Sequence, residues 1–388
     1  MSAGPLSDVR VVDLGGVGPV PFATMVLADL GADVIRIERV PAESDAVAYP
    51  PPGRALGRGV RSLAVDLKTP AGNRIVYRLI LRSDVVIEGF RPGVVERLGL
   101  GPDDVATAER PLVFVRLTGW GQTGPRAQHA GHDINYLAGS GALSLIGRKG
   151  EPPVPPLNLV GDFGGGGMLG LVGALAGLIE ARRSGKGQVV DVAMVDGVAL
   201  LTTILHEWRH DGQWRDERGA NFIDTGAPFY DVYPLADGGW LAIGAIEGRF
   251  WRALLQALAL EDAWLIDGHH NRRHWPRIRE RLATRLLELS PQDVEELAAN
   301  PEACATRVLT LDQASMDEHN AARSLFIGVN GAKLPAPAPR FSRTPAPLPA
   351  PAEELGASTS DVLRELDYDE SSVDELIRTG VVYASPRT

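Results

Sequence analysis

Short β-branched runs alternate with helical patterns through the first 120 residues, and that rhythm restricts the fold more than any other feature of the chain. The runs are Val9–Leu14, Val34–Glu38, Leu63–Leu67, Asp84–Glu88 and Leu112–Leu117, with helical periodicity over Phe22–Leu30 and Gly72–Leu81 between some of them. Strands that read as continuous apolar runs are buried on both faces, and a crossover helix is what joins such strands in parallel. The expectation is an α/β fold, a parallel sheet covered by helices.

A second sheet-and-helix region is expected from about Gly226. Phe229–Pro234 and Trp240–Ile246 flank Ala236-Asp-Gly-Gly239, a hairpin signal. Helical patterns follow at Phe250–Ala259 and Trp275–Leu289, and Ser290-Pro-Gln-Asp293 reads as a capped helix start. Beyond Lys333 the chain turns proline-rich, up to Pro351, which suits an extended tether. Thr359–Gly380 is helical again and is expected to cross back to the first domain. The predicted organisation is a large domain over 1–200, a linker over 201–226, a small α+β domain over 227–332 and a returning segment over 333–388.

With 388 residues, 44% hydrophobic and 23% charged, the chain can bury a large core. Its net charge of −10 argues against non-specific nucleic-acid binding, so an anionic ligand must meet a local group of arginines. Cys304 stands alone, which excludes an internal disulfide framework and fits a reducing compartment; cytoplasm is the expectation. The first apolar stretch is cut by Asp13 and glycines, and reads as a strand and not as a secretory signal. Phe163–Ile179 is uncharged and near the lower limit for spanning a bilayer, but its glycines favour a buried core helix and no membrane span.

Gly16-Val-Gly18, with Glu38 further on, imitates a dinucleotide fingerprint, yet Pro21 occupies the third glycine position and speaks against nicotinamide or flavin. His206-Glu-Trp-Arg-His210 formally fits a zinc-protease pattern, but no third ligand is evident and no metal is expected. More informative are His132 in Gly131-His-Asp-Ile-Asn-Tyr136 and Asp162 in Gly161-Asp-Phe-Gly-Gly-Gly-Gly167. Each has a bland reading, His132 as a structural histidine and Asp162 as a helix N-cap. Together they supply two acid/base groups of different type, as moving a proton on and off a stereocentre requires. The glycines after Asp162 are expected to open backbone N–H groups to an oxyanion. Arg54, Arg58, Arg61, Lys68, Arg91 and Arg97 concentrate cations ahead of this segment, and Arg39 offers a fork for a sugar phosphate.

Val11-Val-Asp-Leu14, the run Phe22–Glu38, Gly89-Phe-Arg-Pro-Gly93, Leu98-Gly-Leu-Gly101, Thr118-Gly-Trp-Gly-Gln-Thr-Gly-Pro125 and Ala338-Pro-Arg-Phe-Ser-Arg-Thr344 together resemble CoA-transferase family III. Within it, Gly131–Tyr136, Gly161–Gly165 and Gly244-Ala-Ile-Glu247 resemble the α-methylacyl-CoA racemase branch. The resemblance implies a Rossmann-like large domain and a smaller α+β domain joined by long linkers in an interlocked homodimer. It implies proton exchange at the α-carbon of 2-methyl-branched acyl-CoA through His132 and Asp162, with Glu247 orienting the histidine, in its own or the partner's site. It implies CoA contacts at Arg39, at Val65, Asp66, Leu67 and Lys68, at Gly89, Phe90 and Arg91, at Arg97, and around Gly131, Asp133, Ile134, Asn135 and Tyr136. CoA would be part of the substrate, with no separate cofactor. Thr225-Gly226 and Gly248-Arg249 depart from the branch's usual pattern and bear on the acyl pocket. The rival readings are a CoA transferase with Asp162 as nucleophile, a silent acyl-CoA-binding module, and a nicotinamide oxidoreductase.

Overall fold

Valine and isoleucine on alternate faces of each central strand give the sheet two separate cores, and that is what fixes its layers. In the computed structural model, which describes residues 4–41, 54–106, 110–260 and 262–386, β1 (Arg10–Gly15), β2 (Asp33–Glu38), β3 (Arg61–Val65), β4 (Val85–Glu88), β5 (Val113–Thr118) and β6 (Gln188–Ala193) pair in parallel. Val11, Val85, Ile87, Val113, Val115 and Leu117 face a core closed by the helices Pro19–Asp29 and Leu169–Ser184. Val12, Val86, Phe114 and Leu63 face the opposite core, closed by Pro70–Ile80 and by Thr359–Glu365 near the chain's end. Such double coverage is what these six parallel strands need.

The chain divides into two compact units: 1–140, 157–201 and 324–388 form the first, 141–156 and 202–323 the second. The first is thus interrupted at 141–156, a segment that the expected continuous domain over 1–200 includes. The expected linker over 201–226 is not bare chain. It carries the helix Thr203–His210, and fully buried Asn221 ties it together through Arg215, Glu217 and Asp224.

In the second unit β7 (Tyr230–Pro234), β8 (Trp240–Gly244) and β9 (Ala305–Arg307) form an antiparallel sheet. Tyr233, Leu241 and Ile243 pack with Trp251, Leu254 and Leu255, and with Ile278 and Leu282, along the helices Gly248–Ala257 and Trp275–Leu287. Ser290 and Asp293 close the anticipated capping box on Pro291–Ala299. After the hairpin β10 (Phe326–Val329) and β11 (Ala332–Pro335), the chain ends in the first unit, where β12 (Val382–Tyr383) lies antiparallel on β3.

Among the described residues one helix, Leu159–Ser184, is long and apolar enough to cross a bilayer. Leu171, Ala174, Leu178 and Ala181 bury one side of it in the first core, so it serves as a covering helix. The strand β6 and the edge strand β12 were not legible in the sequence: β6 opens with exposed residues, and β12 is only two residues long.

Candidate active site

The strand order is β12-β3-β2-β1-β4-β5-β6, so the winding reverses between β1 and β4. Loops leaving those two strands part in opposite directions, and the crevice at their carboxyl ends is where open α/β sheets bind ligands. A cavity of about 630 Å³ lies there. Its walls are Gly16, Val17 and Pro19 after β1, Gly89–Pro92 after β4, and Gly119 and Trp120 after β5, and into it open His129, His132, Asn135, Tyr136 and Asp162.

Asp162 is not the N-cap that its position before glycines suggests. The helix starts earlier, at Leu159, with Asn158 as its cap, and runs as a π-helix to Met168 before continuing as an α-helix. π-helical turns inside longer helices are rare and gather at functional sites. The expected oxyanion site on the N–H groups after Asp162 is contradicted for the same reason. The Phe163 N–H already donates to Asn158 O at 3.2 Å, and the glycines that follow lie within the π turns.

The Asp162 carboxyl is half-buried and abuts the start of the helix Pro19–Asp29: a Cβ on Gly18, its N-cap at φ 72°, would stand 2.6 Å from Asp162 Oδ2. Pro19 and Pro21 remove two of the N–H groups that a helix start normally offers an anion. Burial, then the neighbouring Asp133 carboxylate, push the Asp162 pKa up from 3.8 to about 6, against smaller opposing effects of Asn158 and His132. An acid in that range can give and take a proton near neutrality.

His132 is exposed, immediately before the helix Asp133–Ser140. Its backbone is pinned from both sides: His132 N–H donates to Asn135 Oδ1 at 3.0 Å and His132 O accepts from Asn135 N–H at 2.8 Å. Asp133 is buried, and its Oδ2 accepts the Asp162 N–H at 2.8 Å. Tyr136, edge-on to Trp120 at 5.1 Å, is pushed up to about 12 by burial and by Asp162, so it keeps its proton at any working pH. Below the cavity, fully buried Glu88 accepts the Phe90 N–H at 2.6 Å and is paired with Arg116, which also reaches Glu96. That network holds the Gly89–Arg91 loop at the cavity wall.

The other anticipated contacts divide into available and committed groups. Arg39, Lys68, Arg91 and Arg97 are exposed at the carboxyl side of the sheet, and none pairs with a carboxylate among the described residues. Arg91 lines the cavity, whereas Arg39, Lys68 and Arg97 do not. Arg58 is bound to Asp29 and to Pro335 O, and Arg61 to Asp33 and Glu365, so both are structural; the side chain of Arg54 lies outside the described residues. Val65 is core and pairs with Val382, Leu67 packs against the same core, and the Asp66 N–H is taken by Val381 O. This segment can offer a ligand little beyond Lys68 and its remaining backbone. Ile134 is exposed and does not line the cavity. Glu38, the would-be ribose acid of a dinucleotide site, is occupied by the Ser62 hydroxyl.

Glu247 belongs to the second unit, whereas His132 and Asp162 belong to the first. It follows β8 as the exposed N-cap of Gly248–Ala257, with no side-chain capping bond. His129 went unnoticed in the sequence, Trp120 entered only as part of a family motif, and Asp133 was expected as a CoA contact and not as a partner of Asp162. Asp133 stood beside His132, but nothing local announced that its carboxylate reaches Asp162.

The family model described as CoA-transferase family III matches residues 6–359. An α-methylacyl-CoA racemase of Mus musculus is 42% identical over 374 residues, 96% of either chain. Its Homo sapiens counterpart is 39% identical over 388 residues, 98% of this chain and 99% of the relative. A succinyl-CoA–D-citramalate CoA-transferase of Chloroflexus aurantiacus is 32% identical over 381 residues, 93% of this chain and 94% of the relative. The fold is that of a CaiB/BaiF family protein from Brucella suis, at a TM-score of 0.81 and 24% identity over 94% of this chain and all of that one. A match across both units, with relatives covered nearly end to end, leaves one assignment: the chain belongs to CoA-transferase family III.

Proposed function

We propose that the protein is an α-methylacyl-CoA racemase that inverts the α-carbon of 2-methyl-branched acyl-CoA thioesters. The observation that carries the reading is a single cavity lined by both His132 and Asp162, with the aspartate's pKa raised to about 6. One of the two removes the α-hydrogen, the C–H electron pair moves into an enolate on the thioester, and the other delivers a proton to the same carbon. Tyr136, protonated throughout, places an O–H donor at the cavity wall for the enolate oxygen.

CoA is part of the substrate, and no other cofactor enters the scheme. Arg39, Lys68, Arg91 and Arg97 suit its phosphates, because they are exposed cations that no carboxylate among the described residues claims. An interlocked homodimer is supported by apolar side chains that a lone chain leaves in water: Met168, Val172 and Ile179 on one helix, and Leu200 and Leu201 after it. In it, Glu247 of the partner subunit would orient His132. Mixing His132→Ala and Glu247→Ala chains tests this, since only sharing between subunits restores activity to the mixture. A lone cysteine suits the cytoplasm, a location that fractionation tests.

The second reading is transfer of CoA between carboxylates, with Asp162 attacking the thioester. The greater identity to the two racemases than to the transferase favours inversion. A single-enantiomer 2-methylacyl-CoA in heavy water, followed by NMR with and without a free carboxylate, separates them. Racemisation with α-deuteration, indifferent to carboxylate, is expected. A new CoA ester that appears only with carboxylate, and no deuteration, would replace the racemase by a transferase.

A further inference from the structure

The carboxylate of Asp133 is built at a cost that a plain hydrogen-bond acceptor would not justify. The residue is 7% exposed; Oδ2 accepts the Asp162 N–H, while Oδ1 is enclosed and has no partner among the described residues. A buried carboxylate with one oxygen unsatisfied is destabilising, and asparagine or serine in its place could accept the same N–H without the charge. Room is made for it as well. A Cβ on Gly161 would stand 2.4 Å from Oδ2 and 2.8 Å from Cγ, so only glycine lets the carboxylate come this close to the chain at Asp162.

The geometry points to Asp133 as a positioning residue for proton exchange: its hydrogen bond fixes the backbone that carries Asp162, and its negative charge sets that group's proton affinity. The role rests on the racemase reading, in which Asp162 must act as both acid and base. The charged and titratable groups around the pair are His132 and Tyr136 from its own segment, Arg91 from the β4 loop, and His129 along the cavity. Beside them Asp133 supplies the negative charge that acts on Asp162, second only to burial in its influence.

The test is an infrared titration of the full-length protein labelled with carboxyl-13C aspartate, taking as the Asp162 signal the protonated-carboxyl band that disappears in Asp162→Asn. Asp133→Asn keeps the acceptor and removes the charge, and Asp133→Ser does so with a smaller side chain. In either variant the band should vanish at lower pH than in the wild type, and the acid limb of α-proton exchange should move down with it. A displacement of one pH unit raises the acid-side rate about tenfold relative to the optimum. A band that titrates at the wild-type pH in a folded variant would overturn the role. The infrared result stands without catalysis, so absence of α-exchange in the wild type would sink the racemase reading separately.

Discussion

Replacing Asp162 by asparagine should make the protein inactive and, above pH 6, more stable. The carboxyl has a pKa of about 6 in the folded chain against 3.8 when unperturbed, so the native state holds its proton more tightly than the unfolded state does. A raised acid of this kind favours folding at low pH, and that advantage is lost as pH rises through the window between the two values. Above it, the folded chain carries a charge in a partly dry site. At 1.36 kcal/mol per pH unit the difference is about 3 kcal/mol, which screening at a half-buried group reduces to about 1–2 kcal/mol. Asparagine avoids the charge. Its margin over the wild type should be near zero at pH 4, open between pH 4 and 6, and stay flat beyond. Thermal melts of both proteins at several pH values measure it, with an expected gain of about 1–3 °C at pH 8 for a chain of this size. A margin that is equal at pH 4 and pH 8, or a variant less stable at pH 8, would refute the argument that Asp162 is desolvated and faces a second carboxylate.

His132→Ala should lower α-proton exchange by about 10²–10⁴ while leaving stability within about 0.5 kcal/mol, because the exposed ring makes none of the bonds that fix the segment; paired rate and melting measurements check it. Gly161→Ala should cost about 1–3 kcal/mol and much of the activity, since its methyl would overlap the Asp133 carboxylate; unchanged melting would contradict the close approach. Arg58→Ala, which strands Asp29 at 3% exposure, should destabilise by about 3–5 kcal/mol in urea melts, whereas Arg91→Ala at the cavity wall should leave stability alone and raise KM for acyl-CoA in a salt-dependent way.

The parallel sheet was legible because Val11–Val12, Val85–Ile87 and Val113–Val115 fill both faces, a pattern that few other architectures tolerate. Hairpin and capping chemistry in the second unit was legible for the same local reason, at Asp237–Gly239 and Ser290–Asp293. What escaped was long-range. No periodicity distinguishes a π-helical start from an α-helical one, so the helix was expected to begin at Asp162 and an N-cap stood as the alternative to its acid/base role. The cations Arg58 and Arg61 read like Lys68 and Arg91 until Asp29, Asp33 and Glu365 claimed the first two. His132 and Asp162 stood out in the sequence as an acid/base pair and the fold brings them to one cavity, whereas Asp133 was expected only as a CoA contact and nothing local announced that its carboxylate reaches Asp162.

The strand that seals the sheet arrives last. β12 covers the outer edge of β3, yet roughly three hundred residues separate the two along the chain, and contacts so distant are slow to form. During synthesis the second unit, complete at Arg323, can close before the first has its final helices and strand. Until then β3 presents an unpaired edge of the kind that recruits foreign strands. A chain that has not yet added β12 therefore carries its cavity loops beside a sheet edge open to aggregation.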